Sequence, residues 1–126
     1  FRRKLEELLN SKKIRLIIDL HGMDGRGNAM VDIGVWFGLS ATNTYIDRLT
    51  GILEKHGIPY NISYRYIGGD IIFYHSNRPY INAIQLEISN AIRGKYLRGL
   101  SKALIEYICV VGDINRKSIN SRRSNN

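Results

Sequence analysis

Residues 81–88 read INAIQLEI, an apolar run of strand length, rich in branched side chains, that carries two polar residues, Gln85 and Glu87, two positions apart. A strand is expected from Ile81 to Ile88. Its period of two puts Gln85 and Glu87 on one face and turns Leu86 and Ile88 to the other. A carboxylate in such a run is costly to bury unless a metal, a cation or a function compensates it. A partly desolvated Glu here is suited to take a proton from a bound water and pass it to a leaving amine. From this run alone, the solvent side of an edge strand accounts for Glu87 equally well.

Upstream, IRLIIDL predicts a second buried strand from about Ile14 to Leu20, followed by HGMDGRGN, whose glycines, Asp and Asn predict a loop. His21 therefore stands where a strand opens into a connection, a place where functional groups collect. Asp19 and His21 share a strand face, so the carboxylate can orient the imidazole while the other ring nitrogen stays free for a metal such as zinc. A polar loop residue beside a core strand is the plainer account of His21.

The remaining pattern fills in around these two strands. KLEELL, close to the opening Phe1, has helical spacing, which fits a chain that begins inside an element and is incomplete at its N-terminus. VDIGVWFG is a short strand broken by Gly34 and Gly38. An amphipathic helix starts at Thr42 or Asn43, presents Tyr45, Ile46, Leu49, Ile52 and Leu53, and closes at His56-Gly57 before Pro59. YNISYRY alternates as a strand, Gly68-Gly69 marks a turn, and DIIFY reads as a short edge or connecting segment. A last helix runs from about Tyr96 or Ser101 to Val111. The final stretch, NRKSINSRRSNN, lacks apolar period and predicts a disordered tail over 113–126. Strands separated by helices indicate an α/β fold, a mixed or mainly parallel sheet flanked by helices in three layers, within one domain over 1–112. Sites in such folds form beyond the carboxyl ends of strands, where His21 and Glu87 both stand.

Composition narrows the function. The 126 residues suffice for one domain, and no apolar run approaches the roughly 20 residues of a membrane span. No signal-peptide pattern opens the chain, so a cytoplasmic protein without membrane contact is expected. Cys109 stands alone, which leaves any metal to His and carboxylates. The +8 net charge would suit a polyanion, yet the basic residues gather at the two termini and form no periodic stripe, which argues against nucleic acid. Tyr64, Tyr66, Tyr74 and Tyr80 beside Arg65 and Arg78 offer an aromatic basic surface, but ordinary strand composition explains them more simply.

The order D-L-H-G-M, V-D-I-G, a helix ending in H-G-I-P-Y, then Y-I-G-G-D-I-I and I-N-A-I-Q-L-E-I-S resembles the C-terminal half of the N-formylglutamate amidohydrolase family over about Ile14 to Arg93. The resemblance implies a phosphorylase/hydrolase-like, zinc carboxypeptidase-like fold and zinc-dependent hydrolysis of a linear amide, of the N-formyl or N-acyl amino acid type. It implies that His21 matches the later His ligand of zinc, that Glu87 matches the catalytic acid/base, and that Asp32 matches an acidic position of the family. The early H-x-x-E motif of the family, which supplies two ligands, does not occur: Asp24, Pro59 and Arg78 follow His21, His56 and His75 at that spacing. Asn90 also stands where many relatives carry Arg, with Arg93 close behind. Arg65, Arg78 and Arg93 are the candidates to clamp a substrate carboxylate, against the plainer account of solvated surface arginines. The competing reading is a truncated or non-catalytic relative that serves as a binding module, for instance for a polyanion.

Overall fold

A computed structural model of the protein describes residues 1–11, 14–24, 30–63, 67–75, 78 and 80–125. In chain order come helix α1 (Arg2–Ser11), strand β1 (Leu16–Met23), strand β2 (Val31–Gly34), a 3-10 turn (Trp36–Gly38), helix α2 (Asn43–Lys55), strand β3 (Tyr60–Ile62), helix α3 (Asp70–His75), strand β4 (Asn82–Ser89), a π-helical turn (Ile92–Tyr96) and helix α4 (Leu97–Ser124). The four strands form one mixed sheet in the order β1-β4-β2-β3. β1 runs parallel to β4, β2 antiparallel to β4, and β3 parallel to β2. The apolar run at 82–89 is thus an inner strand with a neighbour on each edge, and it is buried from Ala83 to Ser89. This removes the edge-strand account of Glu87.

The alternation expected for β4 sorts the two faces of the sheet. Ile84, Leu86 and Ile88 join Val31 and Ile33 on the core face, against which α2 and α4 pack. The apolar stripe of α2 (Tyr45, Ile46, Leu49, Ile52, Leu53) is buried there, as are Leu100, Ala103, Tyr107 and Val111 of α4. Full burial of a side chain such as Leu53 contributes about 1.5–3 kcal/mol. The Tyr107 hydroxyl donates to the Tyr45 carbonyl at 3.0 Å, so the ring is buried without an orphaned polar atom. On the other face the turn into α3 approaches β4, where the Gly69 N–H donates to Gln85 Oε1. α1 is tied to this layer by ion pairs of Arg2 with Asp70 and of Glu6 with Arg78. The result is the expected α/β arrangement, with helices on both faces of the sheet.

Three expectations give way. β1 does not end at Leu20: pairing with β4 continues through His21, Gly22 and Met23, because Glu87, Ile88 and Ser89 are there to pair with them. DIIFY is helical instead of an edge segment. Gly68 (φ +120°) turns the chain, the Gly69 carbonyl accepts the Phe73 N–H, and Ile72 is buried, all within an element too short to show its period in sequence. The expected disordered tail is the continuation of α4 to Ser124. Its packed half supplies the costly helical nucleus, and the polar half propagates from it with an Arg116–Asp113 pair and hydroxyls of Ser118, Ser121 and Ser124 bonded one turn back. Of the expected strand YNISYRY, Tyr60–Ile62 is seen and 64–66 lie outside the described residues. Among the described residues no helix is long and apolar enough to cross a membrane.

Candidate functional site

The register of the sheet builds the site. His21 of β1 stands opposite Glu87 of β4, and Glu87 stands opposite Asp32 of β2, so the three side chains form a row across adjacent strands on the face opposite the core. One step along the strands a second row forms from Asp19, Gln85 and Gly34. Each member of the second row that carries a functional group holds its neighbour in the first. Asp19 Oδ2 lies 2.8 Å from His21 Nε2, and Gln85 Nε2 donates to Glu87 Oε1 at 2.6 Å. His21 Nδ1 then lies 4.0 Å from Glu87 Oε1. Asp19 and His21 are thus in direct contact, as an orienting role would require.

Glu87 is 7% exposed, whereas the His21 side chain remains 45% exposed, so the row runs from an open edge into a partly closed interior. Asp32 closes it on the inner side. Burial raises the pKa of its carboxyl above the ordinary value, and a hydrogen bond from the Asn61 side chain offsets part of the shift. The chain passes close to this network at Gly69. A Cβ on Gly69 would lie 3.0 Å from Gln85 Oε1, the atom that accepts the Gly69 N–H.

The three arginine candidates separate. Arg93 comes to the site: its guanidinium donates to the Met23 carbonyl at 3.2 Å and to Asn90 Oδ1, and it lies over Gly22, where an added Cβ would be 2.7 Å away. Asn90, the departure from the family pattern, therefore positions Arg93. Arg78 is engaged elsewhere, by Glu6 and Asn10 of α1. Arg65 lies outside the described residues. His56 is held by Glu106 of α4 at 2.7 Å, and His75 is buried in α3; neither joins the row. Asp24 follows β1 as an exposed residue.

As a metal site the row is partial. It offers one imidazole whose second nitrogen is held by a carboxylate, the usual arrangement of a zinc-ligating His. Among the described residues, however, no three His, Cys, Asp or Glu side chains converge as a metal-binding group. The described residues thus fit one ligand and stop short of a set.

The gap in the sequence reading is Gln85. It shared a face with Glu87 on the alternation, but its grip on the carboxylate and its link to Gly69 had no local signal beyond two polar residues spaced by two in an apolar strand.

No family model matches the chain, and no curated protein matches it. Among solved structures it is similar to the crystal structure of N-formylglutamate amidohydrolase from Ralstonia eutropha JMP134, with a TM-score of 0.74 at 16% sequence identity over 93% of this chain. The chain spans 49% of that protein's length, about half. At this identity the likeness establishes the fold, and it is the fold of the family that the sequence motifs resemble.

Proposed function

We propose that the row of His21, Glu87 and Asp32 belongs to the active site of a zinc-dependent amidohydrolase that cleaves linear amides of the N-formyl or N-acyl amino acid type. The observation that carries this reading is the register across β1, β4 and β2, which brings His21 and Glu87 together from distant parts of the chain with a dedicated partner behind each. The solved neighbour's activity, an N-formylglutamate amidohydrolase, supports the same reaction class.

In this reading His21 is one zinc ligand, fixed in tautomer and direction by Asp19. A catalytic zinc takes three protein ligands, and among the described residues His21 is the one imidazole in the row that would supply one. The metal, when bound, supplies Lewis acidity and a water acidified to a pKa of about 7. Glu87 would accept the proton of the attacking water and deliver it to the departing nitrogen, which leaves as the free amine. Gln85 keeps one carboxylate oxygen engaged, which fixes the direction of the other. Arg93, planar and permanently charged, would receive a substrate carboxylate in this reading; its guanidinium also donates to the Met23 carbonyl.

The test is zinc content of the protein by elemental analysis after dialysis, beside His21→Ala. Stoichiometric zinc that drops in the variant is expected. Zinc retained at full occupancy without His21, or no zinc in the wild type, would remove the metal from the proposal.

A further inference from the structure

The sheet ends on β1, and that end is open. β1 lies outermost in the order β1-β4-β2-β3, so among the described strands it has a neighbour, β4, along one side only. β4 is buried from Ala83 to Ser89, whereas Leu16 to Asp19 of β1 are half-buried and Leu20, His21 and Gly22 are exposed. The strand reads LIIDLHGM, with no proline and no lysine, and its ladder with β4 runs through without a bulge. Proline, lysine and bulges are the common devices that keep an edge strand from pairing with another chain. Without them a row of backbone donors and acceptors stands ready for a further strand. The flank is apolar as well. Leu20, opposite Leu86 on the core face, is 55% exposed, and beside it a groove of about 450 Å³ between β1 and α4 is lined by Leu16, Ile18, Ile108 and Ile119.

The side chains of β1 decide what such an edge accepts. In an antiparallel pair, residues directly opposite share a face with Cβ atoms about 4.5–5.5 Å apart, where opposite charges attract and like charges repel. A second β1, related by a twofold axis perpendicular to the sheet, can be centred on one residue or the next. Centred on Asp19 it sets two carboxylates against each other, and centred on His21 it sets two imidazoles together. Centred on Leu20 it places each Asp19 opposite the other copy's His21, closes the two exposed Leu20 side chains on each other, and puts Ile18 opposite Gly22. The register with complementary charges is thus the one that covers the apolar centre of the strand.

We propose that two copies of this chain pair antiparallel along β1, centred on Leu20, and join their four-stranded sheets into one. The contact is isologous, the same surface on both copies. The twofold keeps both α4 helices on one face and both candidate rows on the other. Each His21, held by its own Asp19 at 2.8 Å, gains the other copy's Asp19 as a second carboxylate neighbour. The pairing rests on the edge of β1 and stands whether or not the His21–Glu87 row hydrolyses amides.

The experiment is sedimentation equilibrium of the wild type beside Leu20→Lys, with cross-linking through cysteines placed along β1 in a Cys109→Ser background. The wild type is expected to be a dimer at about 100 μM and to dissociate on dilution. Leu20→Lys, at an exposed position, should associate at least about tenfold more weakly, with the circular dichroism of the wild type. Leu20→Cys should join two copies through a short bis-maleimide. Arg15→Cys should not, because in this register the two copies of that position lie about ten residues apart along the pair, about 33 Å. A wild type that stays monomeric at about 100 μM would overturn the pairing and leave the edge to a strand of another protein. A dimer that persists unweakened in Leu20→Lys would overturn β1 as the interface. Cross-linking through Arg15→Cys in place of Leu20→Cys would overturn the register.

Discussion

Glu87 is defined by its neighbours more than by its own burial. The chain from the Gly69 N–H to Gln85 Oε1, and from Gln85 Nε2 to Glu87 Oε1, fixes the carboxylate before any ligand arrives. In the proposed role of Glu87 as general base, such fixing would remove the reorientation that otherwise raises the barrier to proton transfer. Gly69→Ala should break the chain at its root. The new Cβ meets Gln85 Oε1 at 3.0 Å and must displace it, with an expected loss of about 1–2 kcal/mol in urea unfolding and a larger proportional loss of turnover. A variant as stable and active as the wild type would show that Gln85 needs no anchor. Asp32 offers a second reading at this scale. Its carboxyl is raised in the folded protein, so the unfolded chain ionises first and the native state holds the extra proton. The contribution of Asp32 is therefore fully present below about pH 4 and is lost as pH rises through the elevated folded value. Asp32→Asn should accordingly be more stable than wild type at pH 7, and the difference should disappear in acid. A constant difference across a pH series of thermal melts would contradict the assignment.

The elements show how packing converts a short pattern into a site. β4 is an inner strand, and its two faces carry different tasks: Leu86 and Ile88 seal the core beneath α2 and α4, while Gln85 and Glu87 lie on the open face. The core beneath is joined by the Tyr107 hydroxyl, which links α4 to the Tyr45 carbonyl of α2. Tyr107→Phe removes one buried hydrogen bond without leaving a hole, and should cost about 1 kcal/mol in denaturant unfolding. No measurable change would show that the carbonyl is satisfied within its own helix. These elements were largely legible. The apolar runs that became β1 and β4 announced buried strands, α2 showed a full amphipathic stripe with Gly57 closing it, and the period of two placed Gln85 beside Glu87. What stayed hidden depended on partners distant in sequence. β1 extends past Leu20 only because β4 is alongside, α3 forms only where Ile72 finds cover, and the polar end of α4 is helical only because its apolar half is packed. Arg93 likewise had no local mark distinguishing it from Arg78; its place over Gly22 comes from the fold.

At the scale of the whole molecule, the chain shares the fold of the solved neighbour and spans 49% of that protein's length. The candidate row opens toward β1, the outermost strand, where His21 is half exposed. Among the described residues no three His, Cys, Asp or Glu side chains converge as a metal-binding group beside that open edge. The net charge of +8 favours the competing reading of a polyanion-binding module, with Arg116, Lys117, Arg122 and Arg123 on the exposed end of α4. Such binding would weaken steeply with salt, whereas hydrolysis of a small amide would respond far less. The central claim is that Glu87 is the acid/base of a zinc site that His21 helps to form. Its most direct test is turnover of N-formyl-L-glutamate and other N-acyl amino acids by the protein, wild type against Glu87→Gln, with zinc measured in the same samples. A loss of about 10²–10⁴-fold in kcat with zinc retained is predicted; equal turnover in the two proteins would contradict the account.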